Sequence, residues 1–120
     1  MHLTSFTDQP CKASIATLGC RVNQYESEAL TELLQQAGFQ MVPFGDPCDI
    51  VILNSCTVTA ESDRKSRQMI RRGLRESGGI GIVTGCAAQA SPADFASIPG
   101  VGAVIGCKDK RLVVDAACRL

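Results

Sequence analysis

Ile50-Val-Ile-Leu-Asn-Ser-Cys56 is the stretch on which the fold turns. Its apolar, β-branched start follows a turn-rich segment, Pro43-Phe-Gly-Asp-Pro-Cys-Asp49, so Ile50–Leu53 reads as a short buried strand ending close to a cysteine. The same pattern recurs on either side. Ser14-Ile-Ala-Thr-Leu18 precedes Cys20, and Ile80-Gly-Ile-Val83 precedes Cys86. Long helical stretches separate the three runs, which predicts parallel strands in βαβ units. Parallel strands end on one edge of their sheet, the edge at which open α/β sheets bind ligands. Three thiols far apart in sequence can therefore meet at one site.

Outward from these runs, the pattern predicts a single α/β domain with a mostly parallel, Rossmann- or flavodoxin-like sheet flanked by helices. Residues 1–12 read as a flexible leader, and the first strand as Ala13–Leu18. A helix is expected from about Asn23, with Asn23 as N-cap, Glu26 three residues on, and an apolar stripe of Ala29, Leu30, Leu33, Leu34 and Ala37 before Gly38. Phe39–Val42 reads as a short parallel strand near an edge. A second helix runs from about Glu61 to Glu76, closed by Ser77-Gly-Gly79. Ser91-Pro92 marks the start of a short helix, an N-cap followed by proline. Val101–Ile105 is a further strand. A last helix, Asp109–Leu120, carries Leu112, Val113, Ala116 and Ala117 on one side.

The 120 residues are one domain's worth, and 45% hydrophobic with 20% charged residues is ordinary for a globular protein. Formal net charge is zero, so any basic face is local. Tryptophan is absent and aromatics are scarce, against an aromatic platform for nucleic acid. No apolar stretch approaches the length of a membrane span, and the first ten residues lack the basic and apolar regions of a secretory signal. A cytoplasmic location is the expectation. In that compartment the seven cysteines point to metal or redox chemistry before disulfides, and an odd number excludes complete internal pairing.

Thiolates suit zinc and iron–sulfur clusters. Closed zinc sites usually take four ligands in close pairs. Here Cys20 and Cys56 stand 36 positions apart and Cys56 and Cys86 stand 30 apart, while the one histidine, His2, lies in the leader. A four-iron cluster held by three cysteines leaves one iron open to a further ligand. Gly19 and Gly85, each just before a cysteine, allow backbone to approach a bulky group. For a single cysteine, a small core residue is the commoner reading; three at the same point of three strands favour ligands.

Thr17-Leu-Gly-Cys-Arg-Val-Asn-Gln-Tyr-Glu-Ser-Glu28, Asn54-Ser-Cys-Thr-Val-Thr59 and Thr84-Gly-Cys-Ala-Ala-Gln89 resemble, in order, the three cysteine motifs of the N-terminal domain of the radical-SAM methylthiotransferases. Residues after the first cysteine are most similar to the branch that modifies N6-threonylcarbamoyladenosine in tRNA. The resemblance covers about residues 13–120. It implies that Cys20, Cys56 and Cys86 bind an auxiliary [4Fe–4S] cluster, and that its open iron holds the sulfur that becomes the methylthio group. It implies no catalytic residue beyond these ligands. Family members continue into a domain with a second [4Fe–4S] cluster that cleaves S-adenosylmethionine, and then into a small RNA-binding domain. Neither is in this chain, so the resemblance implies a sulfur-supplying part inactive by itself. Its partners would be tRNA, a sulfur co-substrate and the radical-SAM domain, with no membrane.

Other residues admit two readings. Cys107, in Gly106-Cys-Lys-Asp-Lys110, reads first as an inert buried cysteine and second as a fourth thiolate. Cys11, Cys48 and Cys118 read as having no role in the site. Arg64, Arg67, Arg71 and Arg75 share one face of the second helix, either as a solvated charged face or as a contact for phosphate or a further domain. Asn23, Gln24 and Gln89 are candidates to donate to cluster sulfides. Two other classes compete with the cluster domain. A flavodoxin-like FMN or nucleotide binder is opposed by the lack of a glycine-rich cradle in Gly19-Cys-Arg-Val-Asn23. A cofactor-free thiol-redox or interaction domain is opposed by the absence of C-x-x-C.

Overall fold

The structure is a computed structural model describing residues 11–18, 21–55, 60–85, 88, 92–106 and 110–119. The described residues form strands β1 (Lys12–Leu18), β2 (Gln40–Met41), β3 (Ile50–Ser55), β4 (Ile80–Gly85) and β5 (Val101–Ile105). They form helices α1 (Arg21–Gln36), α2 (Ala60–Ser77), α3 (Pro92–Ala96) and α4 (Lys110–Arg119). All five strands make one sheet in the order β2-β1-β3-β4-β5, with every pairing parallel. The expected α/β class is therefore found, and the order is that of flavodoxin-like sheets.

Side chains alternate across β3, and its two faces build two cores. Val51 and Leu53 join Ile70 of α2, Phe95 of α3, Val83 and Ile98 on one face. Ile50 and Ile52 join Leu30 and Leu34 of α1, Val113 and Ala117 of α4, and Ile82 on the other. β3 is buried along its whole length, as a central strand covered by helices on both faces must be. Cys48 is part of the first core. Its thiol donates to the carbonyl of Ile50 at 3.3 Å and lies 3.5 Å from the Ser14 hydroxyl. It is thereby a structural residue, as the sequence suggested, while Cys11 and Cys118 are exposed.

Some element details differ from expectation. α1 begins at Arg21, so Asn23 lies in its first turn and is not its cap. Leu30 and Leu34 are buried and Leu33 is half-buried, but Ala29 and Ala37 are exposed. Gly38 ends the helix in the left-handed region at φ 103°. In α4, Val113 and Ala117 face the core, whereas Leu112 is 52% exposed. Ser91 lies outside the described residues. Among the described residues no helix is long and apolar enough to cross a membrane.

This packing sets an ordering of costs. Phe95, fully buried, should cost about 3–5 kcal/mol when replaced by alanine, and Leu112→Ala no more than about 0.5 kcal/mol. Urea unfolding of both variants checks the order, and similar midpoints would contradict the core assignment.

Candidate functional site

Every strand of a parallel sheet ends at the same edge, and here the ends are level. Leu18 pairs with Ser55, and Ser55 pairs with Gly85. Neighbouring strands lie about 4.8 Å apart, so these three ends fall within about 10 Å. Cys56 and Cys86 follow directly in the chain, and Cys20 follows two residues after Leu18. Cys20, Cys56 and Cys86 themselves, with Cys107 and Gln89, lie outside the described residues, as do the side chains of residues 21–23. Among the described residues, no three Cys, His, Asp or Glu side chains are grouped to hold a metal ion.

The chemistry of the strands changes one residue before this edge. β3 runs apolar from Ile50 to Leu53 and then turns polar at Asn54 and Ser55, both buried. Asn54 stands in one cross-strand row with Thr17 of β1 and Thr84 of β4. On the α1 face, the Asn54 amide donates to the Ser27 hydroxyl at 3.1 Å. The Ser27 hydroxyl is 2.6 Å from that of Thr17. On the α2 face, the Ser55 and Ser66 hydroxyls are 2.8 Å apart, with both residues buried. Thr84 donates to the carbonyl of Gly106 at 3.4 Å, tying the end of β4 to the end of β5.

These pairs act on the loops. Ser27 and Ser66 lie in the second turns of α1 and α2. Each helix follows a cysteine in the sequence, so the described residues before and after that cysteine are fixed, by the sheet on one side and by a hydroxyl clamp on the other. The clamps are buried polar groups that satisfy one another, and loss of one partner leaves the other desolvated and unpaired. The helices also turn their N-termini toward the strand-end edge. Two long helices, of 16 and 18 residues, so direct their positive dipole ends there, which favours anionic ligands such as thiolates.

Gly85 is the tightest point. Its φ is 101°, and a Cβ built on it would overlap the carbonyl oxygen of Ser55. Only glycine fits both the left-handed backbone and the adjacent strand. The residue before Cys86 is therefore fixed by backbone packing against β3.

The sequence pointed to the strand ends and to Gly85, but not to Ser27, Asn54, Ser55, Ser66 or Thr17 as a connected layer. Serine in a helix ordinarily reads as a surface residue. The signal that existed was the polar close of each run: Thr17, Asn54-Ser55 and Thr84.

Residues 12–106 match the uncharacterized protein family UPF0004. Over 95 residues the chain is 48% identical to the threonylcarbamoyladenosine tRNA methylthiotransferase MtaB of Bacillus subtilis (strain 168), covering 78% of this chain and 21% of that protein. It is 42% identical over 103 residues to the protein of the same name from Thermotoga maritima, covering 84% of this chain and 23% of that protein. Identity to the ribosomal protein uS12 methylthiotransferase RimO of Chloroflexus aurantiacus is 33% over 97 residues, 79% of this chain and 21% of that protein. The chain thus spans about a fifth of the length of the curated relatives it matches. The higher identities belong to the branch that the residues around Cys20 resemble.

Two substitutions test the layer below the edge. Ser66→Ala should cost about 1–3 kcal/mol by stranding the Ser55 hydroxyl, and Gly85→Ala about 3 kcal/mol or more, from strain plus overlap. Chemical unfolding measures both; a Gly85→Ala protein as stable as its parent would show that the β3–β4 edge is not packed as described.

Proposed function

The chain belongs to the UPF0004 family, and from that premise we propose that it is the sulfur-supplying part of a tRNA methylthiotransferase, holding an auxiliary [4Fe–4S] cluster on Cys20, Cys56 and Cys86. One observation supports this above the others. The residues that lead into the three cysteines stand level on three adjacent parallel strands. Three soft ligands delivered at one edge match a cluster with one iron left open. The site fits the group in a further respect on the described residues: the N-termini of α1 and α2 face it with the sign that suits a cluster on thiolates.

When bound, the cluster supplies at its open iron the sulfur that becomes the methylthio group. The work of this chain's residues is to hold and position. Three thiols lose their protons on binding and hold three irons. The Thr17–Ser27–Asn54 and Ser55–Ser66 contacts fix where the first two loops begin and end. Outer groups of this kind orient ligands and tune a metal centre. The two most similar relatives named above carry N6-threonylcarbamoyladenosine in their names, which supports that nucleoside in tRNA as the substrate. The chain matches about a fifth of those proteins. Cleavage of S-adenosylmethionine, with a second cluster, therefore falls to a radical-SAM domain outside this chain, and the isolated chain would bind its cluster without turning over.

Anaerobic reconstitution with iron and sulfide tests the reading. About four irons and four sulfides should bind per chain, with charge-transfer absorbance and an EPR signal on reduction. Cys20→Ala, Cys56→Ala and Cys86→Ala should each abolish this, and Cys48→Ala and Cys107→Ala should not. A folded parent chain that stays colourless would sink the reading. Flavin absorbance in the purified protein would instead favour a flavodoxin-like binder.

A further inference from the structure

Helix α2 has three sectors. Ser66, Ile70, Gly73 and Ser77 form the buried one. At about 100° per residue, Arg64, Arg71 and Arg75, all exposed, fall together on one flank, with half-buried Arg67 at its inner margin. Lys65 and Arg72 fall about 90° round the helix on the other side of its outward ridge, where the Arg72 Nε donates to Glu76 Oε1 at 3.2 Å. The helix carries six basic and three acidic residues in a chain whose formal net charge is zero.

The arginine flank runs away from the thiol edge. α2 is antiparallel to the strands it connects, so Arg64 is near its start and Arg75 near the opposite edge of the sheet. At a rise of about 1.5 Å per residue, the two stand about 16 Å apart. There the flank opens into a shallow concavity of about 430 Å³, lined by Arg71 and Arg75 together with the apolar side chains of Leu74, Ile98 and Pro99.

Like charges three and four residues apart repel, so helix stability alone does not favour gathering them on one flank. Guanidinium groups pair with phosphate oxygens in a planar, two-pronged geometry. A row about 16 Å long can meet a few successive phosphates of one strand. The guanidinium planes of Arg71 and Arg75, over the apolar floor of the concavity, offer a face on which an unstacked base can stack. We propose that this flank of α2, with the concavity at its end, is a phosphodiester-binding surface that holds RNA away from the thiol edge. The proposal rests on the reading that the chain acts on RNA, but not on the cluster.

The test uses the metal-free 120-residue chain, a fluorescently labelled tRNA transcript and anisotropy titrations between about 50 and 200 mM NaCl. The double variant Arg71→Glu/Arg75→Glu should weaken binding about tenfold or more at low salt. It should also flatten the slope of log affinity against log salt by about 1.4–1.8, the loss of two phosphate contacts. The matched double variant Lys65→Glu/Arg72→Glu, with the same change of charge on the other flank, should lose less than about threefold. Circular dichroism and melting confirm that both fold, and Arg71→Gln/Arg75→Gln replaces the first if it does not. Equal losses in the two doubles would reduce the effect to net charge and overturn the proposal. So would a parent chain that binds no tRNA, or one that binds labelled polyglutamate instead, which would assign the flank to an acidic protein surface. Iron content measured separately keeps the cluster reading distinct: it can fail while RNA binding stands, and the reverse.

Discussion

The parallel pairing of β3 with β1 and with β4 is the constraint on which the rest depends. It fixes Leu18, Ser55 and Gly85 in one row and so decides where three loops begin. An antiparallel neighbour would send one of those loops to the far edge. A slip of one residue in either register would turn Thr17, Asn54 or Thr84 from its polar partners to the opposite face. The apolar cores on both faces of β3 resist such a slip, because Ile50 and Ile52 pack against α1 and α4 while Val51 and Leu53 pack against α2 and α3. The register of the candidate site is therefore set by burial two to five residues away from the level strand ends.

Burying hydroxyls and an amide under that edge has a cost that an apolar layer would avoid, since desolvated polar groups gain only modestly from pairing. What the layer contributes is direction. Apolar contacts such as Leu30 against Ile52 hold a helix at a distance but tolerate sliding. Hydroxyl pairs such as Ser55–Ser66 at 2.8 Å and Thr17–Ser27 at 2.6 Å fix it along its axis as well. The pairs sit in the second turns of α1 and α2, close to where each cysteine-bearing loop rejoins regular structure. Farther from the edge the same helices use leucine and isoleucine, and there sliding by a fraction of an ångström has no consequence for a site.

Much of this was legible in the sequence, for definable reasons. The strands were, because their apolar runs are short, β-branched and closed by turns; β3 and β4 merely extend one or two residues beyond Leu53 and Thr84. The parallel direction followed from the helices between them. The start of α1 was not, because Asn23 and Glu26 fit the spacing of a capping box while Arg21 and Val22 are equally able to be helical. Leu112 shows the limit of periodicity: it sits beside Val113 in an apolar-looking stripe, yet α4 meets the core through Val113 and Ala117, with Val114 and Ala116 half-buried beside them, and leaves Leu112 exposed. The buried serines were invisible for a different reason. Ser27 and Ser66 become core residues only through partners that are 10 and 11 positions away or more, on strands whose register no local pattern encodes.

α2 joins the two ends of the sheet, and its inward face changes along its length accordingly. Near the thiol edge it contributes Ser66, a neutral clamp turned into the sheet. Toward the opposite edge it contributes Ile70 and Leu74, which lie beside Gly81 where a side chain on the strand would crowd them, while its outward cations run along the helix from Arg64 to Arg75. The outward row presents positive charge to an anionic polymer, while the inward clamp of Ser66 and Ser55 at the edge is neutral. Because a helix is stiff over this length, the spacing between the two functions is fixed by backbone geometry. An RNA held along the outer flank would thereby be held at a constant distance from the loops that carry Cys20 and Cys56.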